Sequence, residues 1–263
     1  MSLSLELLEK YYRTFSRKRY IHPDPIEFVC TCEKTDREIV GLLAASLAYG
    51  RVAQILVSVQ RALDQLPSPR EIAREASLAD LQRRFLGFKH RFTTGAEVAG
   101  LLFGAGAVMR HSGSLGAFVS AELDHNPENV LGAMTALTNA LVDASGGRCR
   151  RLISDPVNGS ACKRLNMYFR WMVRKDRIDP GGWPISPAGL IVPLDTHMHR
   201  FALAHGLTNR KAADLKTALE ITDGFRKFNP ADPVKYDFAL TRMGILKTAG
   251  YEVGFDPIQK ETR

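Results

Sequence analysis

The sequence lacks the features that mark several protein classes. Its four cysteines among 263 residues are too few for a disulfide framework. Its longest uncharged apolar run, at residues 98–109, is too short to cross a bilayer. The N-terminal stretch is amphipathic and carries acids, without the apolar core and small-residue cleavage site of a signal peptide. These absences predict a cytoplasmic protein with reduced thiols and no membrane partner.

The composition excludes nonglobular protein classes and shows an excess of basic residues. Hydrophobic residues make up 45% and charged residues 24%, which rules out a disordered, collagen-like or low-complexity chain. There are 36 lysines and arginines against 28 acidic residues, a net charge of +8. Such an excess suits a polyanionic partner such as nucleic acid. A basic protein that is merely soluble has the same composition, so both interpretations stay open.

Apolar residues recur at helical spacing along most of the chain, and no segment alternates with the period of a strand. The sequence therefore predicts an all-α fold. Two stretches rich in turn-forming residues, 146–160 and 179–189, are predicted loops. Helices are expected at residues 3–11, 36–47, 52–66, 97–111, 127–144, 162–174, 195–205, 211–228 and 234–246, with Thr208 or Asn209 capping the eighth.

Two residues on either side of the second loop could carry chemistry. Lys163 lies in the first turn of a mostly apolar helix, where burial would favour the neutral, nucleophilic amine. Asp195 lies at a helix start, where a carboxylate is stabilised and could support positive charge developing on a sugar ring. Taken singly, each has a simpler interpretation, because lysines on helices are usually solvated and an aspartate at a helix start is usually a cap.

The surrounding sequence carries a family resemblance. Residues 192–200, VPLDTHMHR, closely resemble the aspartate motif of helix-hairpin-helix DNA glycosylases, as in endonuclease III and the 8-oxoguanine glycosylases. Residues 150–163 occupy the place of that family's hairpin, with residues 158–160 as the tight turn. The resemblance implies that Lys163 is a Schiff-base nucleophile and Asp195 the catalytic carboxylate. It also implies no metal or organic cofactor.

The chain departs from the common family pattern, and these departures indicate which branch of the family it resembles most. The usual glycine-rich hairpin is absent, and Asp195 follows Lys163 by 32 residues, a longer separation than in most of the superfamily. Such a separation is typical of the archaeal 8-oxoguanine glycosylase branch. No cysteine follows Cys162, so the iron–sulfur cluster of endonuclease III is not expected. The PLDTH and DPVKYDFAL segments also resemble a bacterial family of the same fold.

The family fold has two helical lobes that flank a cleft. Here residues of about 31–175 would form a barrel lobe with the hairpin. Residues 1–30 together with 190–263 would form the second lobe, and the whole chain one catalytic unit. By the resemblance, the base pocket is expected to contain Met167, Tyr168, Trp171 and Asp237. Asp237 would accept a hydrogen bond from a purine N–H, unless it is a surface acid that pairs with Lys235 or Arg242.

The same resemblance predicts the DNA contacts. Residues 46–54 lie where the superfamily fills the void left by a flipped nucleotide, although Gly50 could also mark an ordinary helix break. The segment 85–92 interleaves aromatic and basic residues, which suits backbone contact but fits core aromatics flanked by solvated charges equally well. The residues expected to contact DNA are Tyr49, Arg51, Gln54, Arg150, Arg151, Asn158, Gly159, Ser160 and His197.

The resemblance implies a bifunctional DNA glycosylase and AP lyase, active in base-excision repair on an oxidised base, above all 8-oxoguanine. Its partner would be double-stranded DNA, which would place it at the nucleoid, and no obligate protein partner is evident. A DNA-binding protein without catalysis is the first alternative. A metal-dependent hydrolase is the second, from Asp195, His197, His199 and His205. It is weaker because His197 and His199 on one helix point about 200° apart.

Overall fold

The computed structural model describes residues 3–125 and 130–248, and helices dominate them. This confirms the predicted all-α fold. The α-helices are α1 (Leu5–Phe15), α2 (Ile26–Thr31), α3 (Arg37–Ser46), α4 (Val52–Leu63), α5 (Pro69–Glu75), α6 (Leu78–Arg84), α7 (Gly95–Ser112), α8 (Leu115–His125), α9 (Val130–Ala144), α10 (Lys163–Val173), α11 (Thr196–Ala204), α12 (Leu215–Arg226) and α13 (Asp237–Thr248). Short 3-10 turns cover Lys18–Tyr20, Lys34–Asp36, Pro156–Asn158 and Pro187–Gly189. No helix in the described ranges is long and apolar enough to cross a membrane.

One small sheet interrupts the helices. Strands β1 (Lys89–His90) and β2 (Thr93–Thr94) pair antiparallel, with Lys89 opposite Thr94 and His90 opposite Thr93. The sequence did not predict these strands, because two residues are too few to show the alternation of a strand. The hairpin leads directly into α7, whose N-cap is Thr94 with Glu97 completing a capping box.

The cap predicted for the eighth helix is wrong. That helix, α12, starts at Leu215 rather than near residue 211, and Asp214 is its N-cap. The Asp214 carboxylate accepts the backbone N–H of Thr217 at 2.9 Å, which satisfies a donor that Thr208 and Asn209 are too far along the chain to reach. The predicted start of the fifth helix at Pro127 lies outside the described residues.

Helix packing brings the two ends of the chain together. α1 packs against α13, and α13 also packs against α11. In the middle of the chain α7 contacts α5, α6, α8 and α9, while α10 packs on α3. Gly41 of α3 makes that last contact close, because a Cβ there would lie 3.1 Å from Met172 and 3.2 Å from Tyr168. The division into two lobes at the predicted boundaries stays a prediction.

A buried ion-pair network ties α10 to its surroundings. Arg170 and Arg174, each 5% exposed, share Asp179, which is fully buried in the loop after α10. Arg170 also pairs with Asp237 at the start of α13. Arg174 pairs with Asp176 and Asp232, each at 3.0 Å.

We expect Asp179→Asn to lower the free energy of unfolding by about 3 kcal/mol or more, because it removes the shared partner of two buried guanidinium groups. Asp223→Asn is the matched control, since its ion pair with Arg226 is exposed and should be worth about 1 kcal/mol or less. Urea unfolding of both variants measures the difference. Equal losses would show that the buried network is not a major source of stability.

Candidate active-site cleft

A cleft of about 860 Å³ lies between the helices that carry the predicted chemistry. It is bounded by residues 22–25, the start of α4, one face of α10, the start of α11 and one face of α13. Lys163 and Asp195 both line it. A smaller cavity of about 350 Å³ lies at the N-terminus of α10 and shares Lys163 with the cleft.

Lys163 is the first residue of α10 and is half-buried. Its Nζ donates to the carbonyl of Ala48 at 3.4 Å, a long hydrogen bond that leaves most of its donor capacity unused. Met167 and Arg170 follow at four and seven residues and line the same cleft. This spacing places all three side chains on one face of the helix.

Asp195 is the N-cap of α11, as the sequence predicted. Its Oδ1 accepts the backbone N–H groups of His197 at 2.9 Å and Met198 at 2.8 Å. Its Oδ2 has no hydrogen-bond partner among the residues that the structure describes. One oxygen therefore holds the carboxylate in place while the other is available to a ligand in the cleft.

Asp237 is a buried member of the same cleft. Burial raises its pKa to about 6 against the lowering effect of the Arg170 guanidinium, and the Asp195 carboxylate adds to the rise. The alternative of a surface acid paired with Lys235 or Arg242 is wrong. Lys235 binds Glu9 at 2.6 Å and Arg242 binds Asp24 at 3.1 Å, so neither is available to Asp237.

Two of the predicted pocket residues lie elsewhere. Tyr168 and Trp171 are fully buried, and neither lines the cleft. Tyr168 packs edge-on against Trp183, with ring centroids 5.2 Å apart, and faces Gly41. The error arose because α10 is buried on nearly every side, so apolar spacing alone cannot tell which face meets the cleft. Met167 is placed as predicted.

The predicted DNA contacts divide into groups. Arg51 and His197 line the cleft, whereas Gln54 is exposed on α4 and donates to Ser58 at 3.3 Å. Tyr49 borders the smaller cavity instead of the cleft. Its hydroxyl donates to the carbonyl of His90 at 2.9 Å, and the Arg164 guanidinium lies 5.2 Å from its ring centroid. These contacts hold Tyr49 against the β1–β2 hairpin, with the Arg164 guanidinium over one face of its ring.

The tight turn predicted at residues 158–160 is present but does not line the cleft. Gly159 adopts a left-handed conformation with φ of 74°, as a tight turn requires. Its carbonyl accepts the N–H of Leu215 at 2.9 Å, which attaches the turn to α12. Ser160 Oγ accepts the N–H of Cys162 at 3.2 Å. Arg150, Arg151 and Asn158 are exposed near this turn.

The histidines predicted for a metal site do not converge. His199 Nε2 hydrogen-bonds the carbonyl of Arg210 at 2.8 Å. His197 lies against Gly244, where a Cβ would come within 2.3 Å of its Nδ1. Among residues 3–125 and 130–248, no group of three or more histidine, cysteine, aspartate or glutamate residues is placed to hold a metal ion.

The segment 85–92, which mixes aromatic and basic residues, contains both buried and exposed large side chains. Phe85 and Phe88 are buried, whereas Leu86 is 87% and Phe92 is 84% exposed. We call residues 86–92 the hairpin tip. Lys89 and Arg91 within it are exposed basic residues, as are Arg83 and Arg84 just before it. Arg91 packs on Gly50 at the rim of the cleft, since a Cβ on that glycine would lie 2.8 Å from its Cδ.

Comparison with known proteins yields a family without an assigned activity. A family model described as "Protein of unknown function (DUF2400)" matches residues 24–246. The matched range contains Lys163, Asp195 and Asp237. No curated protein and no solved structure matches the chain.

We expect the Asp237 carboxyl to titrate near pH 6, because burial destabilises its charged form. The folded protein then keeps a proton that the unfolded chain has released. The contribution of Asp237 to the free energy of unfolding therefore falls as pH rises from 3.8 to about 6. Carbon-13 NMR of side-chain carboxyls, with Asp237→Asn to assign the signal, measures the midpoint. A midpoint close to 3.8 would contradict the burial argument.

Proposed function

We propose that this chain, which belongs to the DUF2400 family, is a DNA glycosylase with AP lyase activity that removes an oxidised base. The observation that carries the proposal is the placement of the Lys163 amine and the Asp195 carboxylate in one cleft. These are the two residues that the resemblance to helix-hairpin-helix glycosylases assigns to catalysis. 8-Oxoguanine is the first substrate to test, since the long Lys163–Asp195 separation resembles the archaeal 8-oxoguanine branch.

The reaction needs an amine and a carboxylate of the protein that both act on the same sugar. A damaged nucleotide first leaves the duplex, at a cost of a few kcal/mol in lost stacking. Asp195 stabilises positive charge on the sugar ring while the Lys163 amine attacks C1′. The C1′–base bond breaks with its electron pair on the base, and the proton released by the amine balances that charge. The C1′–O4′ bond then breaks and O4′ takes a proton, which leaves an imine between Lys163 and C1′. Loss of a C2′ proton expels the 3′ phosphate by β-elimination, which cuts the strand 3′ to the lesion.

The surface next to the cleft supports a DNA partner. The hairpin tip combines an exposed aromatic ring, that of Phe92, with several basic side chains, and it adjoins the cleft rim through Gly50. Basic side chains neutralise phosphates, and exposed aromatic rings stack on bases. The net charge of +8 also attracts DNA, and it does so at longer range. Association with the nucleoid is part of this proposal.

We expect wild-type protein to form a borohydride-trapped adduct on duplexes that carry 8-oxoguanine or an abasic site, and Lys163→Gln to form none. Lys216→Gln, at an exposed position on α12, is the matched control and should trap normally. Asp195→Asn should trap roughly 100-fold more slowly, because asparagine keeps the helix cap and loses the charge. Tight DNA binding without any adduct from wild type would favour a non-catalytic DNA-binding protein. Activity lost on adding a chelator would favour the metal hydrolase.

We expect Phe92→Ala to weaken binding to a duplex with an abasic-site analogue by roughly 5- to 100-fold, the value of one lost base–aromatic contact. Its melting temperature should stay unchanged, because the ring is 84% exposed. Leu5→Ala, at an exposed apolar position on α1, is the control for loss of surface area. Fluorescence anisotropy measures both affinities. Equal affinities for the two variants would exclude the hairpin tip from the DNA interface.

A further inference from the structure

We propose that Arg170 reads the base in the cleft by donating a hydrogen bond to one of its carbonyl oxygens. The preferred substrates are then bases that carry a carbonyl where their counterparts carry an amino group. This inference rests on the proposed glycosylase function and narrows its substrate class. Neither the family match nor the aspartate motif points to this arginine.

The guanidinium of Arg170 is fixed from two sides. It lies on the same face of α10 as Lys163 and lines the cleft, although it is only 5% exposed. Its Nε donates to Asp179 at 3.1 Å, and its Nη1 pairs with Asp237. Its Nη2 donates to no residue that the structure describes. The planar group is therefore held in one orientation with an unused donor.

Arg174, the C-cap of α10, shows what a purely structural arginine looks like in the same network. Its three nitrogens are all occupied, Nη1 by Asp179, Nε by Asp232 and Nη2 by Asp176. It does not line the cleft. Both arginines are buried and both pair with Asp179. Only Arg170 has an unused donor and faces the cleft. A ligand in the cleft that accepts from this donor gains a charge-assisted hydrogen bond.

The charge of Arg170 also suits the departing base. When the C1′–N bond breaks, its electron pair moves into the base, and in a carbonyl-bearing base negative charge collects on the oxygen. A preoriented cationic donor at that oxygen stabilises the charge as it develops. No proton leaves the guanidinium, because arginine stays protonated in proteins. An amino group at the same position is itself a donor and leaves both donors unpaired.

Asp237 completes the recognition without duplicating it. Its carboxylate is held beside Arg170 by their ion pair and can accept from a ring N–H of the same base. The cleft thus presents a donor next to an acceptor. Met167 supplies an apolar wall on the same helix face. Arg170 distinguishes carbonyl from amino groups, and Asp237 orients the ring.

Paired oligonucleotide substrates that differ only in a carbonyl or an amino group test this directly. We use 8-oxohypoxanthine against 8-oxoadenine and 5-hydroxyuracil against 5-hydroxycytosine, and measure single-turnover release of each base. Wild type should release the carbonyl member of at least one pair about 100-fold faster or more, as expected for a site built to hydrogen-bond its substrate. Arg170→Lys should reduce that ratio to about 10-fold or less, since lysine lacks the fixed fork.

Arg174→Lys is the matched control, because it perturbs the same network away from the cleft and should keep the wild-type ratio. Borohydride trapping on a preformed abasic site, measured on the same preparations, reports Lys163 chemistry and folding separately from base recognition. Failure of wild type to trap would refute the proposed function. Normal trapping with a wild-type ratio below about 10, or with equal ratios in Arg170→Lys and Arg174→Lys, would refute the role of Arg170 alone.

Discussion

The buried ion pairs around Asp179 are the interaction on which the rest of the cleft depends. Asp179 joins Arg170 of α10 and Arg174, the C-cap of that helix, to the following loop. Arg170 carries the link to Asp237 at the start of α13. Tyr12 extends it to α1 through a 3.1 Å hydrogen bond to Asp176. Because a buried charge without a partner is strongly destabilising, these elements can occupy few relative positions. The helix that carries Lys163 is thereby held at a set place against the wall that carries Asp237.

A second constraint is the convergence of helix N-termini on one space. Lys163 is the first residue of α10, Asp195 caps α11, and Asp237 is the first residue of α13. Each N-terminus contributes a positive partial charge. At α11 this partial charge lies beside the Asp195 carboxylate that caps the helix. The basic hairpin tip adds an outer surface of the same sign beside the cleft rim.

The sequence predicted what depends on local chemistry and missed what depends on packing. Asp195 could be predicted as a helix cap, and its neighbours identified it as a motif, because both signals lie within a few residues. Helices α2, α5, α6 and α8 escaped prediction. The first three have six or seven residues, less than two turns of periodicity, whereas α8 has eleven. Trp171 was mistaken for a pocket residue, and Arg170 was overlooked. Both residues are buried, and only Arg170 lines the cleft. Its seven-residue spacing from Lys163 could have indicated that the two share a helix face.

The central claim is that the Lys163 amine, held in a cleft with Asp195, forms a covalent bond to a deoxyribose. The most direct measurement is peptide mapping by mass spectrometry of the borohydride-reduced protein–DNA adduct after nuclease digestion. The account predicts that the sugar remnant is found on the peptide that contains Lys163, and on no other peptide. A remnant on another lysine or on the N-terminal amine, or the absence of any modified peptide, would contradict it.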